Sequence, residues 1–183
     1  MKQKYDVIVI GAGAAGLMSA IESGKRGRKV LLIDHSKKIG EKIRISGGGR
    51  CNFTNINTSA SKFISKNPKF VISALSQYTQ NDFINLIKKH NISFHEKKLG
   101  QLFCDKSAQQ IVDMLLLECE MADVTLKKEI LIKNIDKKSD QYIIDDNYNK
   151  YFCDSLIIAT GGLSVPQIGA SKFGYEIAKK FNL

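Results

Sequence analysis

The residues best suited to chemistry begin with three glycines spaced as Gly11-x-Gly13-x-x-Gly16. Gly11 permits a tight turn after a strand. Gly13 lets backbone approach a pyrophosphate where a β-carbon would collide with it, and Gly16 lets the following helix lie close on the strand. With Ala14 and Ala15 between them, the loop turns free N–H groups and the positive end of a helix dipole towards phosphates. Asp34 lies 23 positions after Gly11, where a second strand should end. Its carboxylate suits an adenosine ribose and would repel a 2′-phosphate, which argues against NADP at this position. This spacing predicts a dinucleotide site.

A second group falls in residues 35–60, a polar, glycine-rich stretch containing Ser46-Gly47-Gly48-Gly49-Arg50-Cys51-Asn52. A loop this long in a compact domain is usually functional or disordered. In a plain NAD domain the second strand leads directly into another helix. Here it leads into a Gly-Gly-Gly loop able to wrap a pyrophosphate and reach a flavin. Thr160-Gly161-Gly162 ends a further parallel strand at the edge where such sheets bind ligands, and an antiparallel meander precedes it. Both departures from a simple βαβαβ repeat favour FAD. Arg50 suits pyrophosphate or an anionic substrate. Cys51 reads as a thiol made more acidic by Arg50, or as a small packing residue. Asn52 reads as a polar contact to a bound ligand or as an Asx turn. Lys42 reads as a phosphate or flavin contact or as an exposed lysine.

The elements that must position these residues follow from hydrophobic patterning. Residues 5–10 (YDVIVI), 29–33 (KVLLI) and 155–159 (SLIIA) are apolar runs expected as buried parallel strands. Residues 14–25 read as the intervening helix. The middle of the chain predicts helices over 69–76, 79–90 and 107–121, with Thr79 and Asp82 as a capping box, and short strands at 92–95 and 101–103. A strand at 124–126 and a meander of 130–135, 141–145 and 150–153 follow, with a last helix over 173–181. The fold class is α/β: an FAD-binding Rossmann-like parallel sheet with helices, an antiparallel β-meander and a small helical excursion. One domain over 1–183 is expected, with the mostly helical excursion at 61–122 and the meander at 124–153.

Composition bounds the remaining possibilities. The 183 residues are 43% hydrophobic and 25% charged, as in a globular domain that needs no disulfides. Cys51, Cys104, Cys119 and Cys153 have neither C-x-x-C nor zinc-ligand spacing, so reduced thiols in a cytoplasmic protein and no metal are expected. His35, His90 and His95 read as surface or packing residues. No apolar stretch is long enough to cross a bilayer, and the N-terminus lacks signal-peptide character. The net charge of +10 reads either as a solvated lysine surface or as a basic face for RNA.

Residues 42–55 (KIRISGGGRCNFTN) resemble the signature of the BaiN/RdsA-like (YhiN-type) family of NAD(P)/FAD-dependent oxidoreductases. The resemblance extends to GAGAAG at 11–16, GQLF at 100–103, ATGGLSVPQIG at 159–169 and Gly174-Tyr175. It implies FAD as cofactor, NAD(P)H as electron donor and reduction of a carbon–carbon double bond. The substrate is implied to be a small molecule, as in the bile-acid branch, or an RNA base, as in the branch that makes dihydrouridine in ribosomal RNA. It further implies cofactor contacts from Gly11, Gly13, Ala14, Ala15, Gly16, Asp34, Lys42, Ser46, Gly47, Gly48, Arg50, Thr160 and Gly161, with Cys51 and Asn52 as candidates for catalysis. The chain departs from the family at Asp34 (usually Glu), at Cys104 (commonly Pro) and at 170–173 (ASKF). Family members are about twice as long, and their second half carries a substrate or cap domain. A separately encoded C-terminal half is therefore an expected partner. A non-catalytic, truncated nucleotide-binding module is the alternative.

Overall fold

The computed structural model describes residues 3–164 and 171–183. Expectations that fall on 165–170, within the ATGGLSVPQIG and ASKF segments, lie outside the described residues. The chain divides into two compact units, one built from Met1–Lys42 with Leu115–Leu183 and the other from Ile43–Met114.

The first unit is built on a six-stranded sheet. Its central strand β1 (Gln3–Ile10) pairs in parallel with β2 (Val30–Ile33), through Val7↔Val30 to Ile10↔Ile33. Helix α1 (Ala14–Lys25) makes the crossover, as a parallel pair requires. Side chains of paired parallel strands fall on matching faces. On one face Ile8, Ile10, Leu31 and Ile33 join the core cluster. Helix α1 buries Leu17, Ala20 and Ile21. Fully burying each such aliphatic side chain contributes about 1.5–3 kcal/mol, and these glycine-flanked runs are among the most completely buried parts of the chain.

On the other side of β1 the structure corrects the expected strand division. The pieces expected at 150–153 and 155–159 form one strand, which runs from Lys150 to Ile158. It is parallel to β1 along its whole length and antiparallel, in its first half, to the strand Gln141–Asp145. One nine-residue strand thus belongs to both the meander and the parallel sheet. The meander's first strand is Asn134–Lys138, four residues beyond the expected start at 130. Asp146 closes the turn into the long strand. Its carboxylate accepts from the N–H groups of Tyr148 (2.8 Å) and Asn149 (2.6 Å) and from the Tyr151 hydroxyl (3.1 Å).

The second unit contains the helices and short strands expected within 61–122 but starts earlier. It begins at Ile43 and contains a three-stranded antiparallel sheet. Residues 35–60, read as one long loop, contain helix α2 (Glu41–Ile45), a 3-10 turn at Ser46–Gly49 and strand β3 (Asn52–Asn55). Helix α3 (Ile72–Gln77) and helix α4 (Gln80–Lys89) follow, then strands β4 (Phe94–Glu96) and β5 (Gln101–Cys104). Strand β5 is central, flanked by β3 and β4. The predicted capping box is present, with the Thr79 hydroxyl accepting from Asp82 N–H and the Asp82 carboxylate accepting from Thr79 N–H.

Helix α5 (Gln109–Met121) leads back into the first unit. There, β6 (Thr125–Lys127) adds in parallel to β2. The meander strands are β7 (Asn134–Lys138) and β8 (Gln141–Asp145), and the long shared strand is β9 (Lys150–Ile158). The sheet order is β6-β2-β1-β9-β8-β7. Helix α6 (Phe173–Lys180) places Phe173 and Ile177 against the same core face. Among the described residues no helix is long and apolar enough to cross a membrane, and no cluster of ligating side chains suits a metal.

Candidate functional site

In the first unit the carboxyl ends of β1, β2 and β9 lie side by side. Gly11 N–H donates to Ile33 O (2.8 Å), and Ala159 N–H donates to Ile10 O (2.8 Å). The chain passes from β1 to β2 on one side and returns as β9 on the other. This is a topological switch point, where open α/β sheets leave a crevice for ligands.

The three glycines meet different surroundings. Gly11 has φ +102°, and a β-carbon there would lie 2.5 Å from Ala159 O. A β-carbon on Gly16 would fall on the carbonyl oxygen of Gly11. Both glycines are therefore required by the fold itself. Gly13 is not: its backbone is extended (φ −81°, ψ −171°), and a β-carbon there meets no atom within 4 Å. The protein has no packing reason for glycine at this position, and the space above it is open to a ligand. Gly13 also stands at the start of α1. No side chain caps that helix end, and no acid sits in its first turn. The first intrahelical bond runs from Leu17 N–H to Gly13 O (2.9 Å), which leaves the earlier N–H groups, including those of Ala14 and Ala15, without a helical acceptor.

Asp34 does more than the sequence indicated. One carboxylate oxygen accepts from Ala12 N–H (2.6 Å) and the other from Ser36 N–H (2.7 Å). Its own backbone is held on both sides, by Lys127 O (3.0 Å) and Ile130 N–H (3.1 Å). The carboxylate thus fixes the glycine-rich turn to the end of β2. A carboxylate offers about four acceptor sites, so capacity remains for ribose hydroxyls.

Lys42 and Thr160 each hold part of the chain that follows β9. The Lys42 ammonium donates to Gly162 O (3.0 Å) and to Ser164 Oγ (3.0 Å), and so holds the turn after the strand. Gly161 has φ +75°. The Thr160 hydroxyl lies against Gly174 at the start of α6, where a β-carbon would stand 2.9 Å from it. Gly174 matters because it lets α6 close over this strand end. Only a chain that places the helix there reveals this.

The second unit carries the other predicted residues on its own glycine turn. Gly47, Gly48, Gly49 and Cys51 all have positive φ, between 51° and 85°. Ser46 Oγ donates to Ile43 O (2.8 Å), and Cys51 N–H donates to Ser46 O (3.0 Å). Gly47 lies under Phe103, where a β-carbon would come within 2.7 Å of the ring. Gly48 is open on all sides, and among the described residues the Arg50 guanidinium has no partner. The Asn52 amide, oriented so that donors face acceptors, donates to Leu102 O (3.2 Å) and Thr54 O (3.1 Å). These bonds tie β3 to β5. Cys51 is buried. Burial pushes its thiol up, against a smaller opposite pull from the hydrogen bond to Ser46. The thiolate expected from its neighbour Arg50 is not favoured, and the packing role fits the structure. Ser46, Gly47 and Asn52 thus build the turn, while Gly48 and Arg50 remain available at its surface.

The sheet order, its crossover helix and the glycine turn at the switch point define a Rossmann-type dinucleotide-binding domain. The HI0933-like protein Rossmann domain family matches residues 5–183, and the chain belongs to that family. The ribosomal RNA dihydrouridine synthase of Escherichia coli (strain K12) is 52% identical over 181 residues, which cover 99% of this chain and 45% of that protein. The 3-dehydro-bile acid delta(4,6)-reductase of Clostridium scindens is 24% identical, over 93% of this chain and 42% of its own length. The chain therefore spans about half the length of the curated relatives it matches. Among solved structures, the open conformation of a flavocytochrome c3 fumarate reductase aligns with a TM-score of 0.64 at 16% identity, over 97% of this chain and 40% of that one. That likeness concerns the fold.

Proposed function

We propose that this chain is the FAD-binding part of a cytoplasmic oxidoreductase that uses NAD(P)H to reduce a carbon–carbon double bond, with a uracil base of ribosomal RNA as substrate. The observation that carries the flavin reading is Gly13: a glycine with no packing role, at an uncapped helix end, at the switch point of the sheet. The first-turn N–H groups of α1 suit a pyrophosphate, and Asp34 suits the adenosine ribose. Gly161 lets backbone come close to the cofactor, with Lys42 bracing the turn that follows. Arg50 and the open backbone at Gly48 add an anion-ready surface in the second unit. Bound FAD would supply hydride acceptance and delivery, while the protein binds and orients it. Four buried free thiols accord with a reducing compartment.

The ribosomal RNA relative favours an RNA base over a steroid, at 52% identity against 24%. Since the chain covers about half of each relative, the substrate-facing part is assigned to a further segment, either continuous with this one or separately encoded. Titrating FAD into the purified chain tests the core of the proposal. Binding should give a yellow protein with altered flavin fluorescence. A preparation that stays colourless with added FAD would refute it. Incubation with unmodified ribosomal RNA and NAD(P)H, followed by mass spectrometry, should show uridine gaining one H2 once the remaining segment is supplied.

A further inference from the structure

The second unit contains a surface that neither the glycine turn nor the flavin reading uses. From Ile43 to Asn81 the chain has no Asp or Glu, yet it carries Arg44, Arg50, Lys62, Lys66 and Lys69. Within it, residues 61–70 (SKFISKNPKF) are all exposed. Phe63 is 46% exposed, Ile64 fully so and Phe70 76%. Among the described residues, no carboxylate pairs with Lys62, Lys66 or Lys69. Large apolar side chains left in water beside unpaired cations are costly to keep without a use.

The segment is also ordered by its own backbone. Phe63 N–H donates to Ala60 O (3.2 Å) and Phe70 N–H to Asn67 O (3.1 Å). The Ser65 hydroxyl donates to Asn67 O (2.7 Å), and Asn67 Oδ1 accepts from Lys69 N–H (3.1 Å). These turns hold two aromatic rings and three ammonium groups on a short, irregular stretch of chain.

We propose that residues 62–70 form a docking surface for single-stranded RNA. Phe63 and Phe70 would stack on bases, and Lys62, Lys66 and Lys69 would neutralise phosphates. This rests on the reading of the chain as an rRNA-modifying flavoprotein, and assigns that reading its RNA contact. Exposed aromatics interleaved with lysines are what sequence-tolerant single-strand binding needs, since every base has a stacking face. An interfacial membrane site would need an amphipathic helix with one apolar face. Residues 63–71 form turns instead, with Ser65 and Asn67 between the apolar side chains.

The test compares the FAD-supplied native chain with two variants, K62A/K66A/K69A and F63A/F70A. The probe is a fluorescein-labelled oligouridine of about 20 nucleotides, longer than the usual single-strand site. Binding is followed by anisotropy across salt concentrations. Removing the lysines should lower the magnitude of the log–log salt slope by about 2, at about 0.7 per lost phosphate contact. Removing both rings should weaken binding about 30-fold or more at unchanged slope. Flavin binding should be unaffected in both. Native affinity and slope in both variants overturn the surface while the flavin reading stands. Loss of co-sedimentation with phosphatidylglycerol vesicles, or of a dimer in sedimentation velocity, with RNA affinity intact overturns it in favour of a membrane or a second copy. No RNA binding by the native chain overturns it together with the rRNA substrate, and retained FAD binding would then separate that failure from failure of the flavin site.

Discussion

At Gly13 two demands that usually coincide come apart. Gly11 and Gly16 are glycines because the protein's own atoms leave no room for a β-carbon; Gly13 has ordinary dihedral angles and empty space above it. Gly13→Val should therefore leave the thermal midpoint within a degree or two of the native one, since a β-carbon there meets no atom of the protein, and should abolish FAD binding in a fluorescence titration. A large loss of stability in that variant would show that the position serves the fold. Gly16→Ala should do the reverse and destabilise the chain even without cofactor, because its β-carbon meets the Gly11 carbonyl. Asp34→Ala belongs to both classes. It strands Ala12 N–H and removes the ribose acceptor, so it should weaken FAD binding and also lower stability by about 1–3 kcal/mol, the scale for an unpaired buried polar group. Urea unfolding of the cofactor-free variant measures the second effect separately.

At the level of elements, the turn between β8 and β9 is the most exacting. Asp146 is buried, which raises its carboxyl, but the N–H groups of Asn149 and Tyr148 and the Tyr151 hydroxyl outweigh that and hold it below the usual carboxylate range. The Tyr151 hydroxyl is pushed up to about 12 by burial and by the adjacent carboxylate. A depressed carboxyl contributes stability that is complete above its unfolded pKa of about 3.9 and is lost as pH falls through the lower folded value. Asp146→Ala should cost about 1–3 kcal/mol at neutral pH. The gap to the native chain should narrow below about pH 4, as read by urea midpoints across pH. In the second unit, Thr79→Ala removes one arm of the capping box of α4 and should cost about 1 kcal/mol. The sequence displayed that cap because its signature is local. It did not display β3, because Asn52–Asn55 has no apolar alternation and becomes a strand only by pairing with β5.

For the whole molecule, the division into two compact units implies that stability is not one quantity. Thr79→Ala and Asp146→Ala lie in different units. Hydrogen exchange should show each weakening protection mainly in its own unit, whereas uniform loss across the chain in either variant would indicate a single cooperative fold. The net charge of +10 also resolves into parts at this scale. Lys88 and Lys89 lie in the last turn of α4, where cations favour the helix dipole. The acid-free run from Ile43 to Asn81 concentrates positive charge in the second unit.

The amino-acid sequence alone determined the βαβ unit, the acid at the end of β2, the capping box and the family. Each depends on spacing within a short stretch, where propensity and steric demand act locally. The tertiary structure decided what those residues do to one another. Asp34 reaches back to Ala12 only because β1 and β2 lie in parallel register. Lys42 meets Gly162 across 120 residues of chain. Cys51 becomes a buried thiol because the Gly47–Gly49 turn folds it inward, and burial pushes its thiol up. Contacts that depend on register, long-range closure and burial leave no periodic trace in the chain, and most of the candidate site's geometry is of that kind.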